Sequence, residues 1–163
     1  MKRANLAVLA ALWAGLALSA CDKPPAAVPA QSPATGSSTD KAPLDRHLDA
    51  AQVTRGQIVY QQHCVECHGV AGRGLPGDWR VRDADGKYPP PPLDDSAHAW
   101  HHPTAALLQA IRDGSPPGEG NMPAWTGKLS EQEMQDVVVY IKSLWSDPVY
   151  RLWLKMEQQS LQQ

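Results

Sequence analysis

Cys64-Val65-Glu66-Cys67-His68 is the stretch on which the fold turns. It has the C-x-x-C-H form of a c-type haem attachment site. The two thiols add across the two vinyl groups of haem to make thioethers, and the adjacent His68 turns its imidazole to the iron as the proximal axial ligand. One helical turn suits that spacing, because it brings both sulfurs and the ring to one edge and face of the macrocycle. Other chemistries use similar residues. A thioredoxin-like pair would sit beside a βαβ pattern, and none is visible. A structural zinc ion needs four ligands, and after Cys21, Cys64 and Cys67 no cysteine remains. A Cys64–Cys67 disulfide would close a small, strained loop. A single motif implies a single, covalently attached haem c, matured outside the cytoplasm.

The N-terminus supplies that compartment. Lys2 and Arg3 precede an apolar run over residues 6–18, short for a membrane-spanning helix, which needs about 20 apolar residues, and suited to a signal-peptide core. The run ends Leu18-Ser19-Ala20-Cys21, which resembles the bacterial lipoprotein signal. That resemblance implies cleavage before Cys21, lipidation of its sulfur and acylation of the new amino terminus. An uncleaved anchor helix, or a secreted protein with a stray thiol, are the alternatives. Several acyl chains, at roughly 0.8 kcal/mol per buried CH₂, hold a protein to a membrane where one would be marginal. Asp22 resembles the retention signal of enteric-type bacteria and favours the inner membrane, on its periplasmic side.

Residues 21–43 are mostly Pro, Ala, Ser and Thr, too poor in bulky side chains to offset their ordering entropy, so a disordered tether is expected. It acts as a leash for the domain or as a plain spacer. The expected organisation is a signal peptide over 1–20, a lipid-anchored tether over 21–43, a haem domain over 44–146 and a helical extension over 147–163. The 163 residues carry 15 Lys+Arg against 17 Asp+Glu, a formal charge of −2. This excludes the basic footprint of a nucleic-acid-binding domain.

Tyr60, Cys64-x-x-Cys67-His68-Gly69, Gly72-x-Gly74 and Asn121-Met122-Pro123-Ala124-Trp125 together resemble a class I cytochrome c. The resemblance covers roughly residues 50–145 and implies an all-α fold of three to five helices around one haem. In that family a Met in a short Pro-containing loop gives its thioether to the iron, which implies Met122 as the second axial ligand, a pairing that raises the reduction potential. A proline carbonyl in a Pro-x-Leu segment accepts from the proximal histidine's other nitrogen there, which implies Pro91 of Pro91-Pro92-Leu93. The first and last helices cross in that family where a Gly lets an aromatic approach, and Gly56 and Tyr140 match those positions.

The residues themselves place the helices. A first helix is expected over Ala50 to His63, with Val53, Gly56, Ile58 and Tyr60 toward the core. Ser130-Glu131-Gln132-Glu133 has the form of a capping box and opens a helix running through Val137, Tyr140, Ile141, Leu144 and Trp145. A third runs from Pro103, in its first turn, to Asp113 before Gly114, with Ala105, Leu108 and Ile111 as candidates to cover a haem face. Between Gly69 and His102 the reading is loop. Asp147-Pro148 starts an extra C-terminal helix whose Val149, Leu152, Trp153 and Met156 form a stripe, packed back on the domain or turned to a partner.

His98, His101 and His102 form a second candidate cluster. They are surface rings near the haem edge, propionate contacts, or ligands of a bis-His iron or of a separate copper or zinc ion. Arg80 or Arg82 neutralises a propionate or is simply solvated. An axially saturated haem points to a one-electron carrier, not itself an enzyme. A quinol-oxidising complex, a haem–copper terminal oxidase or a periplasmic dehydrogenase are the partners in view. The other classes are a haem-containing sensor or metal-handling protein using the histidine cluster, and a peroxidase-like enzyme with a labile Met122.

Overall fold

The computed structural model describes residues 44–162. The expected signal peptide, Cys21 and the tether therefore lie outside the described residues. The architecture is all-helical: α1 (Ala50–His63), α2 (Val65–His68), α3 (Thr104–Asp113), α4 (Glu131–Ser143) and α5 (Asp147–Ser160). Short 3₁₀ turns at Val70–Gly72 and Ala99–His101 interrupt the long loop between α2 and α3. No strand occurs among the described residues.

The principal helix contact is α1 against α4, and Gly56 permits it. A Cβ at Gly56 would stand 1.9 Å from the Asp136 carbonyl oxygen and 2.9 Å from Tyr140 Cβ, so only hydrogen fits between the two backbones. At the same crossing Tyr60 packs its ring 5.1 Å from that of Tyr140, and Arg55 reaches across to the buried carboxylate of Asp136 with an Nε–Oδ2 distance of 2.7 Å. Hydrogen bonding from Arg55 holds that carboxyl below the usual carboxylate range, against the opposing effect of burial.

α4 begins as its sequence dictates. The Ser130 hydroxyl accepts from the Glu133 amide while Glu133 accepts from the Ser130 amide, satisfying two donors that a helix start leaves open. The helix ends at Ser143, so Leu144 and Trp145 fall just beyond it. Pro103 is the residue before α3, extended at φ −66° and ψ 160°, and not part of its first turn. In α1 the expected core position Ile58 is exposed and Val59 is buried in its place. Three residues before Tyr60 on a 3.6-residue turn lies Gln57 and four before lies Gly56, so the face set by Gly56 and Tyr60 takes in 59 and leaves 58 outside.

α5 packs back onto the domain. Tyr150 and Trp153 are buried with Trp145 in one aromatic group, with Trp145–Trp153 and Tyr150–Trp153 ring centroids 5.8 and 5.0 Å apart. Glu157 of α5 accepts from the Thr104 amide at 2.8 Å and from its hydroxyl at 2.6 Å, capping an α3 start that has no side-chain cap of its own. Lys142 completes this seam: its ammonium donates to Thr104 Oγ1 at 2.6 Å and lies 4.2 Å from the centre of the Trp153 ring. Burial pushes Lys142 down to about 8, with Glu157 pulling the other way.

Candidate haem site

A cavity of about 660 Å³ lies among α2, α3, α4 and the loops before α3 and after it. Cys64, Cys67, His68, Pro91 and Met122 all line it, so five residues expected from sequence at one centre do meet there. Leu93, Leu107, Ile111, Leu129, Val137 and Ile141 supply apolar walls. A pocket of this size, mostly apolar with a few placed polar groups, is the form that small-molecule and cofactor sites take.

His68 ends α2, a single turn that begins directly after Cys64. Gly69 follows at φ 75°, where a Cβ would strike the Gly74 carbonyl oxygen at 2.1 Å, and the Gly74 amide donates to the His68 carbonyl at 2.8 Å. Tyr60, fully buried, donates its hydroxyl to the Gly69 carbonyl at 2.7 Å and so ties this turn to α1. Within the cavity wall, His68 Nδ1 lies 2.8 Å from the Pro91 carbonyl oxygen. Because a carbonyl only accepts, the ring's proton sits on Nδ1 and the Nε2 lone pair is left for a metal. Desolvation lowers the His68 pKa, with the Pro91 bond acting in the opposite sense, which favours the neutral ring that a metal requires.

Pro91 is itself held in place. Leu93 donates its amide to Gly72 at 2.7 Å, and its carbonyl accepts from the indole of Trp145, whose side chain is almost wholly buried, at 2.9 Å. Sequence reasoning assigned Trp145 to the end of a helix and missed that it pins this carbonyl-bearing segment. The only hint was a Trp, which needs a partner for its N–H when buried.

The thiols of Cys64 and Cys67 are free, the first half-buried and the second exposed. Burial, and the neighbouring Cys67, push the Cys64 thiol up to about 11. Met122 is half-buried in the loop between α3 and α4, its amide donating to Ser115 Oγ at 3.2 Å and its carbonyl accepting from the Ser115 amide at 3.0 Å. An imidazole with its free nitrogen on an apolar cavity, two thiols in the preceding turn and a thioether in a facing loop form the donor set that a covalently held iron porphyrin needs.

On the α3 wall the lining residues are Leu107, Ala110 and Ile111, so Leu107 and Ala110 replace the expected Ala105 and Leu108. Leu108 instead packs on the hydrophobic core. The histidine cluster divides. His98 and His102 line the cavity with rings 5.5 Å apart, His98 stacks on Trp79 at 5.0 Å, and His101 sets its edge against Trp100 at 3.8 Å. Half-buried His98 therefore departs from the surface position expected of it. Among the described residues no three His, Cys, Asp or Glu side chains gather as they would round a metal ion. Arg80 lines the cavity but pairs with Asp78 at 2.8 Å, and Arg82 pairs with Glu119 at 3.0 Å.

Helices folded round an apolar cavity with a C-x-x-C-H turn in its wall define a class I cytochrome c domain, whose cofactor is covalently attached haem c. Such a domain is an electron-transfer unit and not a catalyst in its own right. Residues 51–141, more than half of the chain, match the family described as cytochrome c oxidase, cbb3-type, subunit III, and the chain belongs to that family. Among its relatives, the cbb3-type cytochrome c oxidase subunit CcoP of Azospirillum sp. is 29% identical over 96 residues, 59% of this chain and 30% of the relative. The subunit FixP of Bradyrhizobium diazoefficiens is 30% identical over 102 residues, 63% of this chain and 30% of the relative. The cytochrome bc1 complex cytochrome c subunit of Corynebacterium diphtheriae is 31% identical over 107 residues, 65% of this chain and 32% of the relative. This chain thus matches just under a third of each relative's length. No helix among the described residues is long and apolar enough to cross a membrane.

Proposed function

We propose that the chain is a membrane-tethered monohaem cytochrome c that passes single electrons between respiratory partners. The observation that carries this reading is the His68 Nδ1–Pro91 bond inside a cavity also lined by Cys64, Cys67 and Met122. In this reading Cys64 and Cys67 would hold the cofactor as thioethers, and His68 Nε2 and the Met122 sulfur would hold its iron. Haem, when bound, supplies a one-electron couple. The chain's residues set its character: Pro91 fixes the imidazole's orientation and basicity, Met122 favours the reduced metal, and the aliphatic walls keep water away. With His68 and Met122 both on the iron, the site would leave no open position for a substrate.

Relatives named as subunits of cbb3-type oxidases and of a bc1 complex support a quinol-oxidising complex or a terminal oxidase as donor or acceptor; a periplasmic dehydrogenase is the third candidate donor. Cys21, at the end of an apolar leader, is the residue proposed to carry lipid and hold the domain on the periplasmic side of the inner membrane. The tether over 21–43 then keeps the domain at the surface where such partners lie, raising its effective concentration there. The test is the absorption spectrum of the oxidised protein. A ferric sulfur-to-iron charge-transfer band that disappears in Met122→Ala upholds the ligation; a band that persists in Met122→Ala refutes it. Labelling with a radioactive fatty acid that is lost in Cys21→Ser tests the anchor separately.

A further inference from the structure

The segment before Pro91 reaches across to the loop that carries Met122. Arg82 places its guanidinium on four acceptors: both carboxylate oxygens of Glu119 at 3.1 and 3.0 Å, the Gly118 carbonyl at 3.0 Å and the Gly86 carbonyl at 2.6 Å. The same group lies 4.1 Å from the centre of the Tyr88 ring. Lys87 donates to Asn121 Oδ1 at 2.6 Å, and the Tyr88 amide donates to the Glu119 carbonyl at 2.9 Å. All of these bonds except the one to Gly86 end on residues 118–121, immediately before Met122.

From Tyr88 the chain continues as Pro89-Pro90-Pro91-Pro92. Four fixed φ angles make this run stiff, and its third residue is the acceptor for His68 Nδ1. One continuous segment thus grips the histidine at one end and the methionine loop at the other.

We propose that Arg82 and Lys87 are positioning residues that fasten the Met122 loop to the proline run holding His68, so that the two axial ligands are set relative to each other by one brace. This rests on the ligation proposed above. The brace is built on the protein's surface, with Arg82 and Glu119 side chains 40% and 52% exposed. Its work is therefore to hold a loop closed and not to stabilise the fold, because exposed pairs contribute little to stability.

The test is the rate at which imidazole binds the ferric haem-loaded protein, together with the charge-transfer band. Arg82→Ala and Lys87→Ala are each expected to speed imidazole binding by up to about fivefold, the upper end of what an exposed pair commands, while the urea midpoint stays within error of the parent. Glu119→Gln, which keeps the side chain's size and leaves the Arg82–Gly118 bond, should speed binding by less than Arg82→Ala, and the double variant of both should add nothing beyond Arg82→Ala. Raising salt, which screens exposed charges, should speed binding in the parent and not in Arg82→Ala. Met122→Ala separates the two ideas. If Met122→Ala binds imidazole much faster but Arg82→Ala, Lys87→Ala and Glu119→Gln all behave as the parent, the brace is overturned and the ligation stands. If Met122→Ala binds no faster than the parent, the ligation itself fails. Should the alanine variants fold poorly, the Glu119→Gln rate and the salt dependence of the parent decide, and no change in either overturns the brace.

Discussion

The wall of the cavity that carries His68 and the wall that carries Met122 are built from different materials. His68 stands at the end of a helical turn, is buried, and is backed by the Tyr60 hydroxyl and the α1–α4 crossing. Met122 stands in a loop, half-buried, its own amide bonded to Ser115 Oγ in a part-buried contact and the residues before it fastened by exposed bonds to Arg82 and Lys87. The first wall is part of the hydrophobic core, so its geometry is fixed with the fold. The second also rests Met122 on that core, but the residues just before it, 118–121, are held by exposed polar bonds.

The contrast breaks most visibly at Gly56. In Gly56→Ala the new methyl meets the Asp136 backbone, which cannot move aside as a side chain would, and a loss of about 3 kcal/mol or more is expected from such overpacking. Urea denaturation of the haem-loaded protein measures it, and a midpoint equal to the parent's would show that the crossing does not support the His68 wall. Next in size, Tyr60→Phe leaves the buried Gly69 carbonyl with only the longer bond from the Gly72 amide at 3.3 Å, at about 1 kcal/mol. The same titration should show this loss while the absorption bands of the oxidised protein keep their positions.

Asp136 gives the crossing an acid limit. Its carboxyl ionises below its ordinary value in the fold, so the stabilisation it brings is complete above its unfolded value, roughly 4, and fades as pH falls through the lower folded value. The thermal midpoint should decline below pH 4 with a steeper slope in the parent than in Arg55→Ala, and equal slopes would remove Arg55 from this role. The smallest effect belongs to the Met122 wall. Ser115→Ala removes one acceptor for the Met122 amide, and the loss should stay under about 0.5 kcal/mol by urea titration. A larger loss would mean that the Ser115 bond is what keeps Met122 seated on the core.

The same division governs what the sequence discloses. The α4 start was legible because Ser130 and Glu133 are three residues apart and their exchange is local. The His68 wall was legible because Cys64, Cys67 and His68 share one turn, and Pro91 because the family pattern marks it. Ile58 misled because it stands in the apolar run Ile58-Val59-Tyr60, yet the helix turns it outward by the 3.6-residue period. The α3 lining shifted for a similar reason, with Leu107 on the cavity and Leu108 on the core. Arg82 looked like a solvated charge because Glu119 is 37 residues away, beyond any local pattern. Trp145 and Leu93 are separated by 52 residues and were equally invisible.

Glu157 has a consequence for how the wall of the haem cavity is secured. The amide it caps opens α3, whose Leu107 and Ile111 line the haem cavity, and the two partners are 53 residues apart. The chamber's side is therefore secured by a turn that lies 53 residues further along the chain. That one carboxylate serves both the Thr104 amide and its hydroxyl, so a wall of the chamber and the C-terminal helix share a single anchoring point.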